Sequence, residues 1–225
     1  MMSDVKQLEQ LFQEIDQSLT DNVPIYIIGG AALLYQGLKT ATKDIDVILE
    51  DTESYDVFVK TLLSLKFEKR EPTEVYKKME IDIILERKDF RIDTFLKTVC
   101  KKVQLSNGMK DRAVPILKLE KLNVFLCSNE DIFIFKSMTE REGDLEDCIA
   151  LIQRGIKWNN ILNEIQSQIR RSGEDVWITG VGERLDLLEE KGLNIPIMKK
   201  INKLRDEYFY NLEKQFSNRN KEQKI

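Results

Sequence analysis

The 225-residue chain contains no histidine. That absence excludes histidine-based catalytic triads, histidine general bases and histidine-rich zinc sites. Cysteine is scarce as well. Cys100, Cys127 and Cys148 are odd in number, widely spaced and set in apolar surroundings, which suits thiols in a reducing compartment better than a disulfide framework. No basic-then-apolar leader opens the chain, and no apolar run approaches the roughly 18 residues of a membrane span. Internal repeats and low-complexity linkers are also missing. The expectation is a cytoplasmic protein with no membrane partner. A net charge of −4 with 33% charged residues makes the chain not globally basic, and 42% hydrophobic residues suffice for a real core in one large or two small domains.

What is present concentrates between Ile25 and Glu50, in IYIIGGAALLYQGLKTATKDIDVILE. An apolar run ends in Gly29-Gly30, a short helical segment follows, and a second apolar run opens on Asp44 and Asp46. Side chains alternate along a strand, so these two aspartates point to one side. Adjacent carboxylates repel unless a cation lies between them, and hard divalent ions such as Mg²⁺ or Mn²⁺ take oxygen ligands of this kind. Gly29-Gly30, at a strand end before a helix, offers backbone N–H groups and a helix dipole suited to phosphate. A phosphate cradle followed by paired carboxylates is the minimum equipment for handling a nucleoside triphosphate.

Coarse periodicity predicts an α/β region followed by helices. Ser3 is expected to cap a first helix with Leu8, Leu11, Phe12, Ile15 and Leu19 on one face. Strands are expected at 23–28, 45–49, 81–85, 90–95, 114–117 and 122–126, with helices at 31–35 and 55–65, the latter turning Val57, Phe58, Leu62 and Leu65 inward. From Ser128 the pattern becomes helical. Ser128 and Asp131 form a capping pair for a segment that ends at Arg154, before Gly155. Further helices are predicted at 159–171, 175–190 and 197–216, and the polar residues 217–225 should fray. The expected division is a catalytic domain of a small mixed sheet with packed helices over 1–127, and an all-α region over 128–225.

Two aspartates alone would hold metal poorly and leave an attacking hydroxyl without a base. Asp82 in EIDIILE and Asp93 in RIDTFLK are both candidates for a third carboxylate, since each lies in an apolar strand-like run where an aspartate is costly without a partner. In FKSMTEREGDLEDCIALI, Arg141, Asp144 and Asp147 recur every three residues beside the apolar Leu145, Cys148, Ile149 and Ile152, with Lys136 one to two turns earlier. Composition alone reads this stripe as a solvated helix face with an i,i+3 ion pair.

The glycine pair, its spacing and the Asp-x-Asp resemble the signature of the DNA-polymerase-β-type nucleotidyltransferase superfamily. Arg91-Ile92-Asp93-Thr94-Phe95, with Val99, Leu105-Ser106 and Met109, is similar to a branch of uncharacterised archaeal nucleotidyltransferase-like proteins, and this favours Asp93 over Asp82. Lysine, arginine and two aspartates spaced by three resemble the segment after the catalytic domain of AbiEii-type toxins. Many superfamily members have serine after the first glycine. Here Gly30 stands in that place, as in the toxin-like branch.

The resemblance covers about Val23 to Arg154 and matches the remaining helices, including Trp158 and Glu164, only loosely. It implies a metal-dependent transfer of a nucleoside monophosphate to a hydroxyl, with loss of pyrophosphate. Asp44, Asp46 and Asp93 would hold Mg²⁺ or Mn²⁺. Gly29, Gly30 and Lys136 would meet the triphosphate, Asp144 would complete the polar wall of the nucleotide cleft, and Arg141 and Asp147 would orient these groups.

The acceptor is expected to be an RNA such as a tRNA, or a protein. Between Lys97 and Lys121, the basic Lys97, Lys101, Lys102, Lys110, Arg112, Lys118 and Lys121 outnumber Asp111 and Glu120, which would suit a phosphate backbone. No interleaved aromatics support base stacking there, and a lysine-rich solvated surface gives the same pattern. A nucleotide-binding module with an antitoxin-like protein partner is the alternative from another class.

Overall fold

The apolar face read at 8, 11, 12 and 15 closes onto a mixed β-sheet. The structure is a computed structural model that describes residues 2–71, 81–100, 102–139, 141–172 and 176–222, with side chains to residue 215. The chain divides into two compact units, Met1–Lys136 and Ser137–Ile225.

The first unit is α/β. Helix α1 (Val5–Ser18) buries Leu8, Leu11, Phe12 and Ile15. Its cap is Asp4 rather than Ser3, because the Asp4 side chain accepts from the Lys6 N–H at 2.9 Å. Then come β1 (Val23–Ile28), α2 (Gly29–Tyr35), β2 (Ile45–Leu49), α3 (Thr52–Ser64), β3 (Glu68–Arg70), β4 (Ile83–Arg87) and β5 (Phe90–Leu96). In α3, Tyr55 and Val59 take inner positions expected of Val57 and Leu65, which are half-buried. The short β6 (Thr98–Val99) and β7 (Val103–Gln104) pair with each other. Helix α4 (Asn107–Arg112), capped by Ser106, precedes β8 (Val114–Lys118) and β9 (Leu122–Leu126).

The seven-stranded sheet runs β3-β4-β5-β2-β1-β9-β8. β1 is antiparallel to β2, and β2 is parallel to β5. β1 and β2 lie in mid-sheet, and their apolar residues are buried on both faces, as unbroken apolar runs require. Tyr55 of α3 bonds to Thr94 at 3.0 Å, so even-numbered β5 residues near Thr94 face α3 and the odd-numbered Arg91, Asp93 and Phe95 face away from it. At one end of the sheet, Arg87 grips Glu14 of α1 through two nitrogens at 2.7 and 2.6 Å and stacks over Phe67 at 4.6 Å.

Helix α5 (Asn129–Ser137) and α6 (Glu142–Arg154) replace the continuous helical segment expected from Ser128 to Arg154. Its two ends follow expectation. Ser128 donates to Asp131 at 2.6 Å, and Gly155 closes α6 with φ +95°. The second unit is helical, with α6 followed by α7 (Trp158–Ser172), α8 (Trp177–Glu190) and α9 (Met198–Glu222). The expected start of α8 at Asp175 lies outside the described residues, and α9 continues through part of the segment expected to fray. Leu145, Cys148, Ile161, Ile165, Ile178, Leu185 and Ile201 are among its buried core. Among the described residues, no helix is long and apolar enough to cross a membrane.

Candidate active site

Both glycines of the pair are required by space. Gly29, the first residue of α2, has φ +66°, and a Cβ there would overlap the carboxylate of Asp46. A Cβ on Gly30 would overlap the Thr42 hydroxyl. The glycine pair therefore lets the chain entering β2 press directly on the backbone that leaves β1. Ile28, at the N-cap of α2, makes no side-chain capping bond.

Asp46 lies within β2 and Asp44 just before it, half-buried. The Gly30 Cβ position is 4.0 Å from Asp44 Oδ1, so both carboxylates face the start of α2. Parallel pairing of β2 with β5 makes Asp46 and Asp93 register partners. Neighbouring strands are about 4.8 Å apart, so two side chains on one face at one register position are adjacent. Both are buried, Asp46 at 9% exposure and Asp93 at 1%. Arg91, on the same face of β5, donates to Asp93 Oδ1 at 2.7 Å through Nε and to Oδ2 at 2.8 Å through Nη2. This bidentate pair fixes the plane of the Asp93 carboxylate and supplies it with a counter-charge.

Asp82 has a different setting. It precedes β4, is exposed, and accepts the Leu96 N–H at 2.6 Å. That is the geometry of a carboxylate closing off the end of the neighbouring strand β5.

The residues of the second constellation fall on different elements. Lys136 closes the first unit near the end of α5 and is 6% exposed. Arg141 is the N-cap residue of α6, while Asp144 and Asp147 lie inside that helix and are buried at 2% and 7% exposure. They are not a solvated stripe. Arg141 donates to Asp144 at 2.7 Å and 3.2 Å, and the Thr139 hydroxyl also donates to Asp144. Arg184 of α8, 4% exposed, donates to the main-chain carbonyls of Thr139 and Arg141 and so ties α8 to this network. Nothing in the local sequence GERLDLL distinguishes Arg184 from a solvated helix arginine. Thr42 also escaped the motif reading, although it lies only two residues before Asp44.

Part of the basic run is committed to the fold. Lys110 pairs with Glu50, Arg112 with Asp131, and Lys121 donates to the Leu19 carbonyl at 2.7 Å. Lys97, Lys102 and Lys118 are exposed, and Lys101 lies outside the described residues.

Residues 6–175, which carry the glycine pair, Asp44, Asp46, Asp82, Asp93 and the Arg141–Asp144 pair, match the model of a family described as nucleotidyltransferase of unknown function (DUF6036). The chain belongs to that family. It is accordingly an enzyme of the nucleotidyltransferase class, with nucleotidyl transfer as its general reaction. No curated protein matches it. Among solved structures, ANT(2″)-Ia in complex with adenylyl-2″-tobramycin is similar over 76% of this chain and 99% of that one, at 12% identity and a TM-score of 0.49.

Proposed function

We propose that this nucleotidyltransferase uses a divalent metal ion to move a nucleoside monophosphate from a nucleoside triphosphate to a hydroxyl acceptor, releasing pyrophosphate. The observation that supports this reading most is the side-by-side placement of the buried Asp46 and Asp93, with the Gly29 main chain against Asp46. Two carboxylates at one register position, beside an approaching main chain, are the oxygen donors a hard cation takes.

Among the described residues, no three His, Cys, Asp or Glu side chains already converge as a metal-holding group. The donor chemistry nevertheless fits a hard ion such as Mg²⁺ or Mn²⁺, because Asp44, Asp46 and Asp93 offer oxygen alone. When bound there, such an ion would offset the triphosphate charge and stabilise the charge that develops at the α-phosphate. The chain's own groups do the rest. Gly29 and Gly30 present main-chain N–H groups to the phosphates without a side chain in the way. Lys136 meets the outer phosphates as a point charge. Within the second unit, Arg141 and Asp144 form a preformed polar pair, with Asp147 one turn further along α6. Asp93, its carboxylate plane fixed by Arg91, is the group that accepts the proton of an attacking hydroxyl. The acceptor is a macromolecular hydroxyl, of which an RNA such as a tRNA suits the exposed Lys97, Lys102 and Lys118.

Incubation with each labelled nucleoside triphosphate, Mg²⁺ or Mn²⁺ and total tRNA or cell lysate tests the reading. Label should transfer to an RNA band, and transfer to a protein band would replace the acceptor class. The Asp46→Asn variant should lose transfer by at least about 10²-fold, the scale for removing one charge-stabilising group. Its melting temperature in metal-free buffer should not fall. Full activity in Asp46→Asn would sink the metal assignment, and saturable nucleotide binding without any transfer would favour a binding module.

A further inference from the structure

Thr42 lies at a three-way junction that neither sequence motif includes. Its main chain pairs in both directions with Met2, through Met2 N–H to Thr42 O and Thr42 N–H to Met2 O, each at 2.8 Å. Its hydroxyl donates to the Asp44 main-chain carbonyl at 3.0 Å and reaches Asp44 Oδ1 at 3.5 Å. The same oxygen rests against Gly30, where a Cβ would displace it. Met2 is 1% exposed and Thr42 is 5% exposed, so both ends of this strap are buried.

We infer that Thr42 is a positioning residue for the transfer reaction, setting the Asp44 carboxylate at the start of α2. The inference rests on the reading of Asp44 as an ion-holding group. Asp44 precedes β2 and is not fixed by the ladder that holds Asp46. A carboxylate on a loose loop would lose conformational freedom each time it engaged an ion and a nucleotide. The Thr42 hydroxyl removes that freedom beforehand by tying the turn of residues 42–44 to itself, while Met2 anchors Thr42 from behind and Gly30 leaves room for the oxygen. Partners of this kind, one bond removed from an ion-holding group, typically alter ion affinity or activity by about 10- to 100-fold when removed.

The test compares Thr42→Val, Thr42→Ala and Thr42→Ser with the parent and with Asp44→Asn. One readout is Mn²⁺ affinity of the nucleotide-free protein, measured by electron paramagnetic resonance, and the other is kcat for label transfer. Thr42→Val and Thr42→Ala should lose about 10- to 100-fold in both, while Thr42→Ser, which restores the hydroxyl, should stay within about threefold of the parent. A role in folding alone would lower the melting temperature without this split between serine and alanine. If Thr42→Val crowds Gly30 and fails to fold, the smaller Thr42→Ala decides. The inference is overturned if folded Thr42→Ala keeps parental Mn²⁺ affinity and kcat while Asp44→Asn loses both, or if Thr42→Ser falls as far as Thr42→Ala. Parental behaviour of Asp44→Asn would instead remove the reading of Asp44 and the inference with it.

Discussion

The junction of β2 with β5 and the start of α5 treat a buried aspartate in opposite ways. At the start of α5, Asp131 is 0% exposed, takes two bonds from Arg112 at 2.6 and 3.2 Å and one from the Ser128 hydroxyl at 2.6 Å. It also lies in the first turn of a helix, where the dipole favours negative charge. At the β2–β5 junction, Asp93 has an equally good arginine, yet its register partner is a second buried carboxylate. One arrangement gathers donors around a single charge and reads as structural. The other sets a second carboxylate beside the arginine-bound one, a grouping of oxygen donors that suits a ligand cation. Bidentate arginine pairing alone therefore does not separate a scaffold from a site. The neighbours of the pair do.

That contrast can be broken by paired substitutions. Asp93→Asn should cut transfer by at least about 10²-fold. Its stability cost should be smaller than that of Asp131→Asn, since unpairing Arg91 is offset in part by relief of the neighbouring carboxylate of Asp46. Asp131→Asn should cost about 3 kcal/mol, because it leaves the Arg112 charge without its carboxylate, and should leave turnover per folded molecule unchanged. Urea denaturation together with label transfer measures both. A reversal of the two outcomes would mean that the structural and functional aspartates have been exchanged.

A change at the other end of α5 sharpens the comparison. Lys136→Ala should weaken nucleoside triphosphate binding by on the order of 1.5–3 kcal/mol and leave binding of the monophosphate nearly as it was. Calorimetric titration of the two ligands reads the difference. Equal losses for both would return Lys136 to a structural role like that of Asp131.

The smallest effect is expected at the Glu14–Arg87 pair, which is remote from either aspartate in the chain and serves as a control. The hydrogen bond from Arg87 holds the Glu14 carboxyl below its ordinary value of 4.5, against the opposing effect of burial. A carboxylate lowered in the folded state stabilises the protein above its unfolded value and loses that contribution as pH falls through the folded one. The pair should therefore weaken only below about pH 4.5. Glu14 is 44% exposed, so its contribution should stay under about 1 kcal/mol. Melting temperatures of Glu14→Gln and the parent should converge as pH falls through that range, and a gap that widens there would contradict the sign.

The central strands were legible because they are apolar on both faces and bounded by turn residues. β1, β2 and β9 fall where their runs of Val, Ile and Leu place them. β3 was not, because its Glu68, Lys69 and Arg70 are all exposed and it forms by backbone pairing with β4 and an exposed Arg70–Glu86 pair. The break between α5 and α6 carries neither proline nor glycine, and its geometry rests on carbonyl bonds from Arg184 in a distant helix. Burial of Asp144 and Asp147 was equally invisible, since their i,i+3 spacing is what a solvated face would show. In the candidate site, the glycine pair and the Asp44–Asp46 alternation are local and could be read directly. The pairing of Asp46 with Asp93 is a matter of sheet register, which no spacing in the chain encodes.

Asp46 and Asp93 come from strands well separated in the chain that meet in parallel, so their adjacency waits on a non-local pairing. The β4–β5 hairpin can form before Asp93 meets Asp46, and β1 can pair with β2 before Asp46 meets Asp93. Return of catalytic competence during refolding would then report closure of the β2–β5 seam, separately from the recovery of secondary structure. On the proposed reading, a partly folded chain would hold Asp46 and Asp93 apart and would be silent as a catalyst.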